Sequence, residues 1–279
     1  MSNTIIIDND YDDSVIITIP IYKPSLTASE KASLMQVFSV LSRYPICFFT
    51  FKDLDISEYR KIAGKHKYQI TFFDSYYFKN IAGYNNLLCR PVFYKRFENY
   101  KYLLIYQLDA WVFKDELKFW CDQNYDYIGA PWFAQENNGD SLPFCLGIGN
   151  GGFSLRKVKS HIKVLYRFSY IMPVKTIIAI FFKKIGRHSF KRLVLNLTFD
   201  NNSHYLLGKL NLYEDIFWGE IIKKNYRWFK APDTLTAARF STEINSEMIY
   251  NINKQLPFGC HAWEKYEPEF WSSFIKIYS

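Results

Sequence analysis

Through the first half of the chain, apolar residues come in short unbroken runs, and between the runs they recur every three or four positions. Residues 14–21 (SVIITIPI) form a β-branched run that predicts a strand. Thr27 and Glu30 have the spacing of a capping box, and Leu34, Val37, Phe38 and Leu41 follow at helical period. Residues 46–51 (ICFFTF) and 68–73 (YQITFF) predict a second and a third strand. Pro91 opens a helix carrying Phe93, Tyr94 and Phe97, and residues 102–108 (YLLIYQL) predict a fourth strand, apolar at nearly every position. Strands that alternate with helices and lack a polar face predict an α/β fold: a mostly parallel central sheet with helices on both faces. In such a sheet, ligands lie beyond the carboxyl ends of the strands. The positions of interest are then Tyr22-Lys23-Pro24 after the first strand, Asp74 after the third and Asp109-Ala110-Trp111 after the fourth.

Further on, the pattern is less regular. Residues 126–130 (DYIGA) predict a short strand, 133–143 a polar loop, and 149–156 (GNGGFSLR) a glycine-rich turn running into a strand. Residues 157–212 read as an insertion rich in basic and aromatic residues. Residues 214–224 predict a helix with an acidic start, 228–242 continue the fold, and 257–263 (PFGCHAW) come near the end. No internal repeat or flexible linker divides the chain, which predicts a single domain over 1–279, with one half at about 14–113 and the other at about 114–265.

Composition narrows the classes. With 279 residues, 49% hydrophobic and 22% charged, the chain can bury a sizeable core, so disorder and low complexity are excluded. Aromatic residues reach 19%, and Tyr and Trp serve as amphipathic walls for sugars and bases as well as core. Lys and Arg number 35 against 27 Asp and Glu, a net charge of +8 that suits an anionic partner: a nucleotide, a nucleic acid or an anionic membrane. The basic residues are not interleaved as RNA- or DNA-reading modules require, so no nucleic acid is expected. Residues 175–192 carry six Lys and Arg among apolar and aromatic residues. That is the composition of an interfacial helix on an anionic membrane, and equally of a solvated helix packed by its apolar side. The first 13 residues lack the order of a signal peptide, and no run reaches the ~18 apolar residues of a membrane span. The five scattered cysteines have no zinc spacing and read as reduced core thiols of a cytoplasmic protein.

Four features can carry chemistry, each beside a plainer role. Asp109, directly after a buried strand, can bind a divalent cation bridging phosphates, or cap the next turn. Glu214 and Asp215 open a helix, where the macrodipole favours acids; one of them can also act as a general base toward a hydroxyl. Asn150-Gly151-Gly152 can let backbone approach a ligand closely, or form a tight turn, and its spacing is that of neither a P-loop nor a dinucleotide fingerprint. His261 can ligate a transition metal or be a satisfied structural histidine.

Taken together, the blocks YLLIYQLDAWVF (102–113), DYIGAPWF (126–133), GNGGFSLR (149–156), EDIFWG (214–219), AARFSTE (237–243) and PFGCHAW (257–263) resemble a bacterial family of uncharacterised domains, DUF5672, related to GT-A glycosyltransferases. The resemblance covers about residues 15–265. It implies a GT-A-like fold and transfer of a sugar from a nucleotide-sugar donor, UDP type, to a bacterial surface glycan such as lipopolysaccharide O-antigen or capsule, free or lipid-linked, with inversion. Asp109 matches the first position of the DxD-type motif, and Trp111 stands where the second Asp belongs; with His261 as second ligand, Asp109 would still hold Mn²⁺ or Mg²⁺ on the diphosphate. Asp215 matches the base of the xED motif, with Glu214 binding acceptor. The resemblance places Tyr22, Lys23, Asp74, Trp111, Gly151 and Gly152 near the donor. Asn150 and Arg156 fall near the acceptor, Arg156 being able also to pair with Glu214 or with phosphate, and Trp132, Trp218 and Trp263 are candidate sugar-stacking walls or core. A cytoplasmic enzyme is expected, and the composition of the basic segment suggests a peripheral position on the inner membrane face. The rival reading is a non-catalytic glycan- or nucleotide-binding module on the same fold.

Overall fold

The structure, a computed structural model, describes residues 14–133, 145–166 and 213–277. The four strands expected in the first half form: β1 (Val15–Pro20), β2 (Ile46–Thr50), β3 (Gln69–Phe72) and β4 (Tyr102–Tyr106) are parallel, in the order β3-β2-β1-β4. β9 (Phe153–Lys157) joins antiparallel to β4, and β6 (Tyr127–Ile128) antiparallel to β9, so a mostly parallel sheet of six strands takes strands from both sides of residue 113.

The unbroken apolar runs follow from burial on two faces. Val15, Ile17 and Ile19 of β1 pack with Leu34, Val37, Phe38 and Leu41 of helix α1 (Ala28–Leu41). Ile16, between them in sequence, lies on the other face with Cys47, Phe93 and Leu103. Each such side chain, fully buried, stabilises the fold by about 1.5–3 kcal/mol. α1 starts on the expected capping box: Thr27 Oγ1 accepts from Glu30 N–H at 3.2 Å, and Glu30 Oε2 accepts from Thr27 N–H at 2.8 Å.

Several expectations change. The chain bends after β4, with Ala110 N–H donating to Gln107 O at 2.9 Å, and forms a further strand, β5 (Ala110–Val112), for which the sequence pattern predicted no element. β5 pairs antiparallel with β11 (Gly259–His261), itself parallel to β10 (Ser241–Thr242), in a second small sheet. Phe133 ends a strand, β7 (Pro131–Phe133), paired with β8 (Cys145–Ile148); the remainder of the expected loop, 134–143, lies outside the described residues. The start of the expected insertion belongs to the core: Lys157 ends β9, and the next helix, Val158–Tyr166, buries Val158, Val164 and Leu165 beside Trp218. Residues 167–212, including the basic segment 175–192, lie outside the described residues. The acidic helix begins as Glu214–Ile216, continues as a π-helical turn over Phe217–Ile222 and ends as Lys223–Asn225. Within that turn, a Cβ on Gly219 would collide with the Ile148 carbonyl, so glycine lets the widened turn lie against β8.

Cys47, Cys89, Cys121 and Cys260 are free and buried, while the side chain of Cys145 lies outside the described residues. Among the described residues, no helix is long and apolar enough to cross a membrane.

Candidate functional site

A cavity of about 590 Å³ opens beyond the carboxyl ends of β1 and β4. One wall carries Tyr22 and Lys23 after β1 and Gln107, Leu108 and Asp109 after β4. A second part of the lining carries the turn Asn150-Gly151-Gly152 and the acidic pair Glu214-Asp215, with His261 also on the lining.

Strand register explains why Asp109 and His261 meet. β5 and β11 pair with Ala110 opposite His261, which sets the imidazole beside the residue preceding Ala110. His261 Nε2 lies 3.2 Å from Asp109 Oδ1 and 3.2 Å from Gln107 Oε1, and Nδ1 lies 3.2 Å from Glu243 Oε1. Burial disfavours the imidazolium, but the Asp109 charge and hydrogen bond, with those of Glu243, outweigh it and raise His261 to about 10. Burial likewise pushes the Asp109 carboxyl up, and His261 more than offsets this, leaving it below the ordinary carboxylate range. Among the described residues no group of three or more His, Cys, Asp and Glu could hold a metal ion. Asp109 Oδ1 and His261 Nε2 place one hard oxygen and one imidazole nitrogen at the cavity, and the imidazole would have to give up its proton before that nitrogen could ligate an ion.

The glycine turn lies between this cluster and the acidic helix. A Cβ on Gly152 would run into the His261 ring, and one on Gly151 into Glu214 Oε1, so both positions require glycine for the side chains on either side to keep their places. Glu214 is 3% exposed, and the Arg156 guanidinium donates to both its oxygens, at 2.7 and 2.8 Å. Arg156, fully buried, also donates to Ser154 Oγ at 3.0 Å and Tyr94 Oη at 3.1 Å. Asn85 Oδ1 accepts from Glu214 N–H at 3.1 Å, fixing the start of the helix. Asp215 differs from its neighbour. Burial raises its carboxyl, the Glu214 charge raises it further, and the Ile216 N–H bond and Arg156 counter only in part, so it reaches about 7. A carboxylate so poised is suited to taking a proton near neutral pH.

Of the residues singled out in the sequence, Tyr22, Lys23, Asp109, Asn150, Gly151, Gly152, Glu214, Asp215 and His261 line the one cavity. Five do not. Asp74 lies off the cavity lining and caps the turn Ser75–Phe78, accepting from Tyr76 N–H at 2.8 Å. Trp111 packs edge-on against Trp263 at 6.1 Å in a small cluster with Trp271, which places both indoles in the core and not on a sugar. Trp218 is fully buried, its Nε1–H bonded to Leu88 O at 3.2 Å. Trp132 sits on β7, paired across to Gly147. Arg156 lies behind the lining and pairs with Glu214, one of the partners its place in the sequence suggested. Sequence reasoning missed Gln107, Asn85, Tyr84 and Glu243. Gln107 had a signal, its place at the end of β4; Glu243 follows β10 directly, and nothing in its spacing pointed to His261.

The family model described as "Protein of unknown function (DUF5672)" matches residues 67–261, more than half of the chain. The chain belongs to the DUF5672 family. The matched span runs from just before β3 to His261 and so takes in every cavity residue named above except Tyr22 and Lys23. No curated protein matches this DUF5672 chain. Among solved structures it is similar to core-mannan synthase A from Aspergillus fumigatus in its Mn/GDP form, at 13% identity over 72% of this chain and 70% of that one, with a TM-score of 0.37. It is also similar to apo mouse xyloside xylosyltransferase 1, at 10% identity over 91% and 97%, with a TM-score of 0.48. A third is a glycosyltransferase involved in glycosylation of the major capsid of PBCV-1, at 12% identity over 91% and 95%, with a TM-score of 0.39.

Proposed function

We propose that this chain is a glycosyltransferase that moves a sugar from a nucleoside-diphosphate donor, UDP type, to a glycan hydroxyl, with inversion and with Asp215 as general base. The observation that supports it is convergence: Asp109, Asp215 and His261, distant in sequence, line one cavity at the carboxyl ends of β1 and β4. Tyr22 and Lys23 face the donor's nucleoside end. Asp109 and His261 would hold a divalent cation on the diphosphate, which when bound would offset the charge of the departing group. Asp215 takes the acceptor proton as the hydroxyl oxygen bonds to the anomeric carbon; the bond from that carbon to the diphosphate oxygen breaks, and its electron pair leaves with the nucleoside diphosphate. A single displacement by one base inverts the anomeric centre. The acceptor is a bacterial surface glycan of the polysaccharide-biosynthesis class that the family resemblance implies. A peripheral membrane position rests on the composition of residues 175–192.

The test is Asp215→Asn, assayed against a panel of nucleotide sugars and glycan acceptors with Mn²⁺. Transfer is expected to fall by about 10²–10⁴-fold while donor binding persists. In the unaltered protein, kcat/KM is expected to rise with pH and level off above about 7, because the base works only when deprotonated. Undiminished transfer by Asp215→Asn rules Asp215 out as base. Nucleotide binding with no turnover in any donor and acceptor pair favours the binding module.

A further inference from the structure

The two acids at the head of the helix are adjacent in sequence and unlike in surroundings. Glu214 has both oxygens engaged by one guanidinium, and its side chain is 4% exposed. Its Oε1 lies where a Cβ of Gly151 would stand, and Arg156 Nη2 also donates to Gly151 O at 3.4 Å. Gly151 carbonyl, Arg156 and Glu214 therefore form one closed assembly that ties the glycine turn to the first turn of the helix. The two-point grip spends one lone pair of each oxygen on Arg156 and fixes the plane of the carboxylate, so Glu214 cannot turn to follow a hydroxyl in the cavity. Removing that grip would mean exposing the guanidinium of a fully buried arginine.

We propose that Glu214, clamped by Arg156, is a positioning residue: it sets a fixed negative charge beside Asp215 and locks the glycine turn, and it does not bind the acceptor. The inference rests on the reading of Asp215 as the base and assigns Glu214 a different part from the one the family resemblance implies. The charged groups acting on Asp215 come from three places: Glu214 on its own helix, Arg156 on β9 and Glu243 after β10. Of these, the adjacent Glu214 acts most strongly, and it holds the proton on Asp215 up to a higher pH.

The experiment is a carbon-13 NMR titration of the Asp215 side-chain carboxyl, assigned with Asp215→Asn, in the full chain and in two variants. The first variant is Glu214→Gln. The second, Arg156→Met with Glu214→Met, removes both charges and keeps the volume filled, so that a fold lost in the first is still read in the second. The Asp215 midpoint is expected to drop by about one pH unit in Glu214→Gln, and by less in the double variant because the opposing arginine charge goes too. The rise of kcat/KM with pH is expected to move with it, while KM for acceptor changes by less than about twofold. An unmoved midpoint in both variants overturns the proposal, as does a tenfold rise in acceptor KM with the pH profile unchanged. A midpoint that moves in a chain with no transferase activity supports the clamp and removes the proposed function, so the two stand or fall separately.

Discussion

One wall of the cavity consists of chain ends after β1 and β4, the other of the glycine turn with the helix at Glu214, and each carries an ion pair. On the first wall, Lys23 Nζ lies 2.7 Å from Glu30 Oε2, with side chains 35% and 14% exposed. On the second, Arg156 and Glu214 are also 2.7 Å apart, with side chains 0% and 4% exposed. Equal distances hide unequal physics. A half-buried pair still shares water and gains little from its partner, whereas each member of a fully buried pair has lost its water and depends on the other. The first wall can thus rearrange around a ligand. The second holds fixed groups around Asp215, whose own carboxyl is raised by that setting.

The largest effect should come from breaking the buried pair on one side only. Arg156→Met leaves Glu214 sealed with no counter-charge and is expected to cost about 3–5 kcal/mol, read by denaturant unfolding. Adding Glu214→Met should restore most of that stability, because apolar replacement of both members of a buried pair is often neutral or stabilising. A double variant as unstable as the single one would show that the wall depends on the charges themselves. Asp215 pulls the other way. Its folded pKa of about 7 stands above the ordinary 3.8, so the stability it contributes is complete below about pH 4 and is lost as pH rises through 7. Asp215→Asn is therefore expected to be more stable than the parent at pH 8 while transfer fails.

A middle-sized effect lies where the walls join. Glu243 meets His261 Nδ1 from behind, which leaves Nε2 toward Asp109 and the cavity. Carboxylates in that position orient ligating histidines, and their loss typically weakens metal binding by about 10–100-fold. Glu243→Ala is expected to do so for Mn²⁺ in the presence of a nucleoside diphosphate, followed by electron paramagnetic resonance. Equal affinity would remove Glu243 from the site.

The walls were unequally legible in the sequence. Strands buried on both faces must be apolar almost without a break, so β1, β2 and β4 announced themselves, and the ends of β1 and β4 located Tyr22, Lys23 and Asp109. The glycine pair and the Glu-Asp pair were visible as residue types, but their division of labour depended on where Arg156 was buried, which no spacing encodes. Indoles were ambiguous for a related reason. Trp218 and Trp263 have the chemistry of a sugar wall, and only packing reveals that one is sealed against Leu88 and the other against Trp111. β5 was hidden because three residues make no period, and its pairing with β11 joins positions 147 or more residues apart, from Val112 with Gly259 to Ala110 with His261.

The smallest expected effect sharpens the contrast most. Glu30 Oε2 serves Lys23 and the capping box of α1 together, since it also accepts from Thr27 N–H at 2.8 Å. Lys23→Met therefore removes one half-buried partner and leaves the helix cap intact. Its cost in stability is expected to be about 0.2–1 kcal/mol, several times less than that of Arg156→Met. The loss should surface in ligand binding instead. A lysine at the cavity mouth attracts an anionic donor through solvent, so nucleotide affinity in the variant should fall at low salt and approach that of the parent as salt screens the attraction. Unfolding measured beside nucleotide titration at two salt concentrations separates these effects. If Lys23→Met destabilised the chain as much as Arg156→Met, the first wall would be as rigid a part of the fold as the second, and the distinction between a wall that binds and a wall that positions would fail.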